Sequence, residues 1–209
     1  MLLFDLDGTL IDSSDIWVQI DIDFTARHNL LLTKEYHDFV VHATAPASAA
    51  FTKDYYHLDM SVDEILQEWN DQAFYAYANT IELKPYVRTY LDQCKENGEP
   101  MVILTSSIPA LCRAALERHD LMQYFDQLLF AQEFGIEKKD PKLFHTVAEH
   151  LSVPIETCLL YDDSPVSCRS AKEAGAKVVG VHDKFFAANE NEMRTFCDHY
   201  IFDFSELIQ

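Results

Sequence analysis

Short runs of consecutive apolar residues, each closed by a polar or turn-forming residue, recur along most of the chain. Met1 to Phe4 is the first, with Gly8 closing the turn after it. Met101–Leu104, Leu128–Ala131, Cys158–Tyr161, Lys177–Val181 and Tyr200–Phe202 repeat the pattern and predict strands. Between them lie stretches that predict helices. One covers 86–97 and stops at Gly98, and one starts at Ser107-Ile108-Pro109. Another is capped by Asp140-Pro141 and runs to about 151, and the last follows Ser164-Pro165 to Gly175. Residues 13–84 depart from this alternation and read as mostly helical. In 14–30, Ile16, Trp17, Ile20, Phe24 and Leu30 fall close to helical spacing. Ser61-Val62-Asp63-Glu64 is a capping box that opens a helix with Val62, Ile65, Leu66, Trp69, Ala73 and Tyr77 on one stripe. The small, Pro-interrupted stretch Ala43–Ser48 predicts a loop, and Phe51, Tyr55, Tyr56, Trp69, Phe74, Tyr75 and Tyr77 predict a core for this segment.

Strands alternating with helices imply an α/β fold, a doubly wound parallel sheet covered on both faces. The core would be 1–12 with 85–209, and 13–84 a helical domain inserted into it. Ligands of such sheets sit beyond the C-terminal ends of the strands, which draws attention to Asp5, Asp7, Thr105, Ser106, Asp162 and Asp163. A Thr or Ser after a strand ordinarily caps a helix. The Asp5/Asp7 pair is harder to assign a structural role. It caps no visible helix, and two acids at the tip of a buried strand are unfavourable unless their charge is offset. A divalent metal offsets it most simply, and Mg²⁺ favours oxygen ligands.

Composition narrows the setting. The 209 residues, 48% hydrophobic, suit one globular domain or one domain with a smaller insertion. The net charge of −19 implies repulsion from nucleic acid and anionic membrane surfaces, so an anionic substrate would need positive charge supplied within the site. No basic segment leads into an apolar one as in a secretory signal, and no apolar stretch approaches the ~20 residues of a membrane span. Cys94, Cys112, Cys158, Cys168 and Cys197 are odd in number and form no C-x-x-C pair, which fits ordinary thiols in a reduced, cytoplasmic compartment.

Four motifs in order then carry a family resemblance. Asp5-Leu6-Asp7-Gly8-Thr9-Leu10 with Asp12-Ser13 resembles the first motif of the haloacid dehalogenase superfamily. Val102-Ile103-Leu104-Thr105-Ser106 resembles the second. Glu137-Lys138-Lys139-Asp140-Pro141-Lys142-Leu143-Phe144 resembles the third, and Leu159-Leu160-Tyr161-Asp162-Asp163-Ser164 the fourth. The resemblance covers nearly the whole chain and implies a Rossmann-like core with a helical cap at 13–84. The implied activity is a Mg²⁺-dependent phosphohydrolase of the phosphoglycolate phosphatase and beta-phosphoglucomutase-like branch, acting on a small phosphorylated metabolite, as a monomer or weak dimer. Asp5 would be the nucleophile and Asp7 the acid–base group. Thr105 and Ser106 would bind phosphate, and Lys138 would neutralise charge. Asp5, the Asp7 backbone carbonyl and Asp163 would hold Mg²⁺, with Asp162 as a further ligand or a group behind it. Relatives carry Pro directly after the third-motif lysine, whereas Lys139 stands here, and the Asp140-Pro141-x-x-Phe144 register favours Lys138. Asp7 implies phosphate-ester chemistry, and Thr9, where mutases of this type often carry Val, tilts the expectation to a hydrolase over a sugar phosphomutase. The cap would offer Arg27, Lys34, Lys53, His28, His37, His42 and His57 as substrate contacts. Ser167 and Cys168 receive no role.

Overall fold

The computed structural model describes residues 1–40, 43 and 45–208. The chain forms two compact units, Met1–Ser14 with Ile81–Gln209, and Asp15–Thr80.

The first unit is built on a parallel sheet with six strands among the described residues, in the order β3-β2-β1-β4-β5-β6. β1 is Leu2–Phe4, β2 Met101–Thr105, β3 Gln127–Phe130, β4 Leu159–Asp162, β5 Lys177–Val181 and β6 His199–Ile201. Every residue of β1 and β2 is buried, as expected of strands covered on both faces. β1 pairs with β2 on one side (Leu2 opposite Met101) and with β4 on the other (Leu2 opposite Leu159). The strand order therefore reverses direction at β1, the place where ligands bind in open sheets. The covering helices bury stripes at three- and four-residue spacing, such as Val87, Tyr90, Leu91 and Cys94 in the helix Val87–Glu96 and Leu143, Phe144, Val147 and Ala148 in the helix Pro141–His150. Behind the tips of β1 and β4, Phe4 stacks on Tyr161 with ring centres 4.5 Å apart, and the buried Tyr161 and Tyr90 hydroxyls hydrogen-bond each other.

The second unit holds α1 (Ile16–Arg27), α2 (Lys34–Val40), α3 (Ala45–Tyr56) and α4 (Val62–Asn79). The capping box forms: Ser61 Oγ accepts from the Glu64 amide at 3.2 Å, and Glu64 Oε2 accepts from the Ser61 amide at 2.7 Å. α4 buries Ile65, Trp69, Ala73, Ala76 and Tyr77.

The structure departs from the sequence pattern at several points. Ala45–Ser48 is the first turn of α3, not a loop, because a proline at the second helical position lacks only an N–H that would have no partner there; Thr44 lies outside the described residues. Phe74 and Tyr75 are 49% and 64% exposed, since they fall off the Ile65-Trp69-Ala73 stripe. α1 stops at Arg27, with Asn29 in a left-handed conformation, so Leu30 lies beyond it. A helix at Glu190–Phe196 was not anticipated, its one fully buried side chain being Met193. Among the described residues no helix is long and apolar enough to cross a membrane.

Candidate active site at the tips of β1 and β4

β1 delivers Asp5 to the sheet's C-terminal edge, where its amide donates to the Tyr161 carbonyl at 2.9 Å. β4 ends at Asp162, with Asp163 next in the chain. The carboxylates of Asp5, Asp162 and Asp163 are buried and offer oxygens all within 4.8 Å of one another. Lys138, on the loop before the helix Pro141–His150, is 8% exposed. Its ammonium donates to Asp5 Oδ1 at 2.7 Å and to Asp162 Oδ2 at 2.6 Å. Lys139 points away: it is two-thirds exposed and pairs with Glu137. The Asp140 side chain caps the following helix by accepting from the Lys142 amide, which fixes the register of this loop.

Around these four groups lies a set of small donors. Asp162 Oδ1 accepts from the Ser164 amide, and its Oδ2 accepts from Ser167 Oγ at 2.7 Å as well as from Lys138. Asp163 Oδ1 accepts from Thr9 Oγ1 at 3.3 Å. Gly8, with φ +75°, passes so close to Asp163 that a Cβ there would lie 2.3 Å from its Oδ2. Asp7 is partly exposed, and its Oδ1 accepts from Ser13 Oγ at 2.8 Å. Thr105 closes β2 fully buried; its Oγ1 accepts from the Ser107 amide at 3.0 Å, which leaves the hydroxyl proton to donate. Ser106 beside it is exposed.

Thr9, Ser13 and Ser167 had no assigned contacts on sequence grounds. Ser167 was legible in principle. It is the third residue of the helix Pro165–Ala174, and side chains in a first turn lean back toward the N-terminus, here toward Asp162. Of the polar residues considered on 13–84, Arg27 and His28 both pair with Glu68, Lys34 pairs with Asp38, and Lys53 donates to the Leu58 and Met60 carbonyls. His42 lies outside the described residues.

Burial raises the Asp5 carboxyl to about 7, against the pull of Lys138, with Asp162 and Asp7 adding repulsion. Burial also lifts Asp163 well above the ordinary carboxylate range, reinforced by the charges of Asp162, Asp5 and Asp183. Burial opposes the charge on Lys138, but Asp162 and Asp5 outweigh it and raise its pKa. Three clustered carboxyl groups face one ammonium, so their charged forms are left under-compensated. That shortfall of positive charge and an all-oxygen donor set fit a hard divalent cation.

Known proteins resemble this chain in sequence and in fold. The family model for haloacid dehalogenase-like hydrolases matches residues 2–181. A phosphorylated carbohydrates phosphatase of Thermotoga maritima is 22% identical over 181 residues, covering 86% of this chain and 84% of that protein. The GMP/IMP nucleotidase YrfG of Escherichia coli is 27% identical over 194 residues, covering 84% and 79%. Among solved structures, a Thermotoga maritima protein assigned as a beta-phosphoglucomutase superposes with a TM-score of 0.83 at 20% identity, covering 96% of this chain and 93% of that one.

Proposed function

The chain belongs to the haloacid dehalogenase-like hydrolase family, and from that premise we propose that it is a Mg²⁺-dependent phosphomonoesterase working through an aspartyl-phosphate on Asp5. Curated relatives are phosphatases, and the observation that carries the finer reading is the buried Asp5 carboxylate held 2.7 Å from Lys138 beside Asp163.

In this mechanism an Asp5 oxygen attacks phosphorus, and the bond from phosphorus to the ester oxygen breaks. Asp7 gives its proton to the departing oxygen, then takes one from the water that attacks the aspartyl-phosphate and frees inorganic phosphate. Its side chain suits this task because it is partly exposed and steered by Ser13. The Thr105 hydroxyl donates to a phosphoryl oxygen, with Ser106 beside it, and Lys138 offsets charge on nucleophile and phosphate. Asp5, Asp163 and the Asp7 backbone carbonyl would hold Mg²⁺, which when bound supplies Lewis-acid neutralisation of the phosphoryl charge. Asp162, whose two oxygens already accept from Ser164, Ser167 and Lys138, fits better as the anchor of Lys138 than as a further ligand.

The substrate is a small phosphorylated metabolite; the relatives named above act on carbohydrate phosphates or nucleotides. The acidic chain disfavours nucleic acid and membrane partners, and the five free thiols suit a reduced cytoplasm. Phosphate release from a panel of sugar, polyol and nucleoside monophosphates, with and without Mg²⁺, tests the reading. Wild type releases phosphate only with the metal, and Asp5→Asn releases none. A sugar bisphosphate that accumulates in place of inorganic phosphate would identify a mutase instead.

A further inference from the structure

Beyond the tip of β5, Asp183 is 1% exposed and its carboxylate gathers three donors. Its Oδ2 accepts from Lys84 Nζ at 2.6 Å, and its Oδ1 from Ser14 Oγ at 2.5 Å and the Phe185 amide at 2.8 Å. Lys84 Nζ also donates to the His182 carbonyl at 2.8 Å, and only a tenth of its side chain is exposed. Burial pushes the Asp183 carboxyl up, but these donors outweigh it and hold it below the ordinary carboxylate value. Such a pair is costly to bury unless every oxygen is satisfied, and here it is.

The two residues it ties belong to one ribbon. The chain leaving β1 and the chain returning at 81–84 run antiparallel. Ile11 bridges Leu83, the Asp12 amide donates to Glu82, and the Lys84 amide donates to Leu10. Ser14 ends one strand of the ribbon and Lys84 the other. Between the ribbon's pairing and Ser14 lies Ser13, the donor to Asp7. Asp183 therefore grips the ribbon immediately next to the residue that orients Asp7.

We propose that Asp183, with Lys84 and Ser14, is a positioning latch for the proton-transfer side chain Asp7, a role that rests on the reading of Asp7 above. The latch touches neither phosphate nor metal. Its loss misdirects the proton meant for the leaving oxygen and spares the attack by Asp5.

The choice of leaving group separates the two effects, because kcat/KM reports only steps up to its departure. p-Nitrophenolate leaves without a proton, whereas the alkoxide of a sugar or polyol monophosphate needs one. Ser14→Ala keeps the buried ion pair intact, and Asp183→Asn keeps the shape of the side chain. In both, kcat/KM on the best alkyl monophosphate of the panel falls about tenfold, a fraction of what a full general acid contributes. On p-nitrophenyl phosphate it falls much less, and Lys84→Met behaves alike while Lys84→Arg restores most of the difference. A parallel fall on both esters in Ser14→Ala and Asp183→Asn, or no change in Ser14→Ala, overturns the latch. Asp7→Asn serves as the reference. If it leaves the alkyl-to-aryl ratio unchanged, the reading of Asp7 fails; if it alone shifts the ratio, the latch fails.

Discussion

A single step along the backbone separates two lysines with opposite fates. Lys138 is buried between Asp5 and Asp162, and Lys139 lies in solvent against Glu137. Lys138→Met should lower kcat by about 10²-fold or more, since it removes a fixed charge from a dry site, and Lys139→Met should leave steady-state kinetics unchanged; equal effects would mean that the loop shifts in solution. Gly8→Ala would push a methyl group into the Asp163 carboxylate, so it should weaken Mg²⁺ activation, read as a higher metal concentration for half-maximal rate. At this scale Asp5, Asp7, Thr105 and Asp163 were legible because they end buried strands, where a polar residue needs a reason. Thr9 does not stand out, because a small hydroxyl near a turn reads as an ordinary cap, whereas the first-turn position of Ser167 does carry a signal toward Asp162. Asp183 also follows a buried strand, β5, but it lies outside the four family motifs.

Strands and helices carry different kinds of prediction. Those of the sheet were readable because the central strands β1 and β2 are apolar and buried along almost their whole length, and a run of that kind has few alternatives. The start of α3 departs from the expected loop because a proline in a first turn is tolerated although it breaks a helix interior; the helix Glu190–Phe196 leaves almost no periodicity in the sequence, with seven residues and one fully buried side chain. In α4, Ser61→Ala removes one half of the capping box and should cost about 1 kcal/mol, visible as a lower thermal midpoint. In α1, burial raises the Asp21 carboxyl to about 6, against a hydrogen bond donated by the Tyr36 hydroxyl. A carboxyl whose folded pKa lies above its unfolded value of 3.8 binds more protons in the folded state between those values, so stability falls as pH rises from about 4 through about 6. Asp21→Asn should therefore raise the melting temperature at pH 8 and change it little near pH 4. A uniform effect across pH would show that the charge of Asp21 is not the cause.

Over the whole molecule, a net charge of −19 acts against compaction, and among the described residues Asp5, Asp162 and Asp163 cluster with carboxylate oxygens within 4.8 Å of one another. A cation bound there stabilises the folded state by mass action, about 2.7 kcal/mol at a hundredfold excess over its dissociation constant. Mg²⁺ should raise the melting temperature of wild type beyond what monovalent salt of equal ionic strength achieves, and Asp163→Asn should lose that excess; an unchanged excess would place the metal elsewhere. The expectations for the site converge on Asp5 as the nucleophile that attacks phosphorus. Rapid acid quenching of wild type during turnover of its best substrate, followed by mass spectrometry of the peptide that carries Asp5, tests this most directly. The account predicts a transient gain of one phosphoryl group on Asp5 that decays as inorganic phosphate appears and is absent from Asp5→Asn. Full turnover with no phosphorylated Asp5 at any quench time, or a phosphoryl group on another residue, would contradict it.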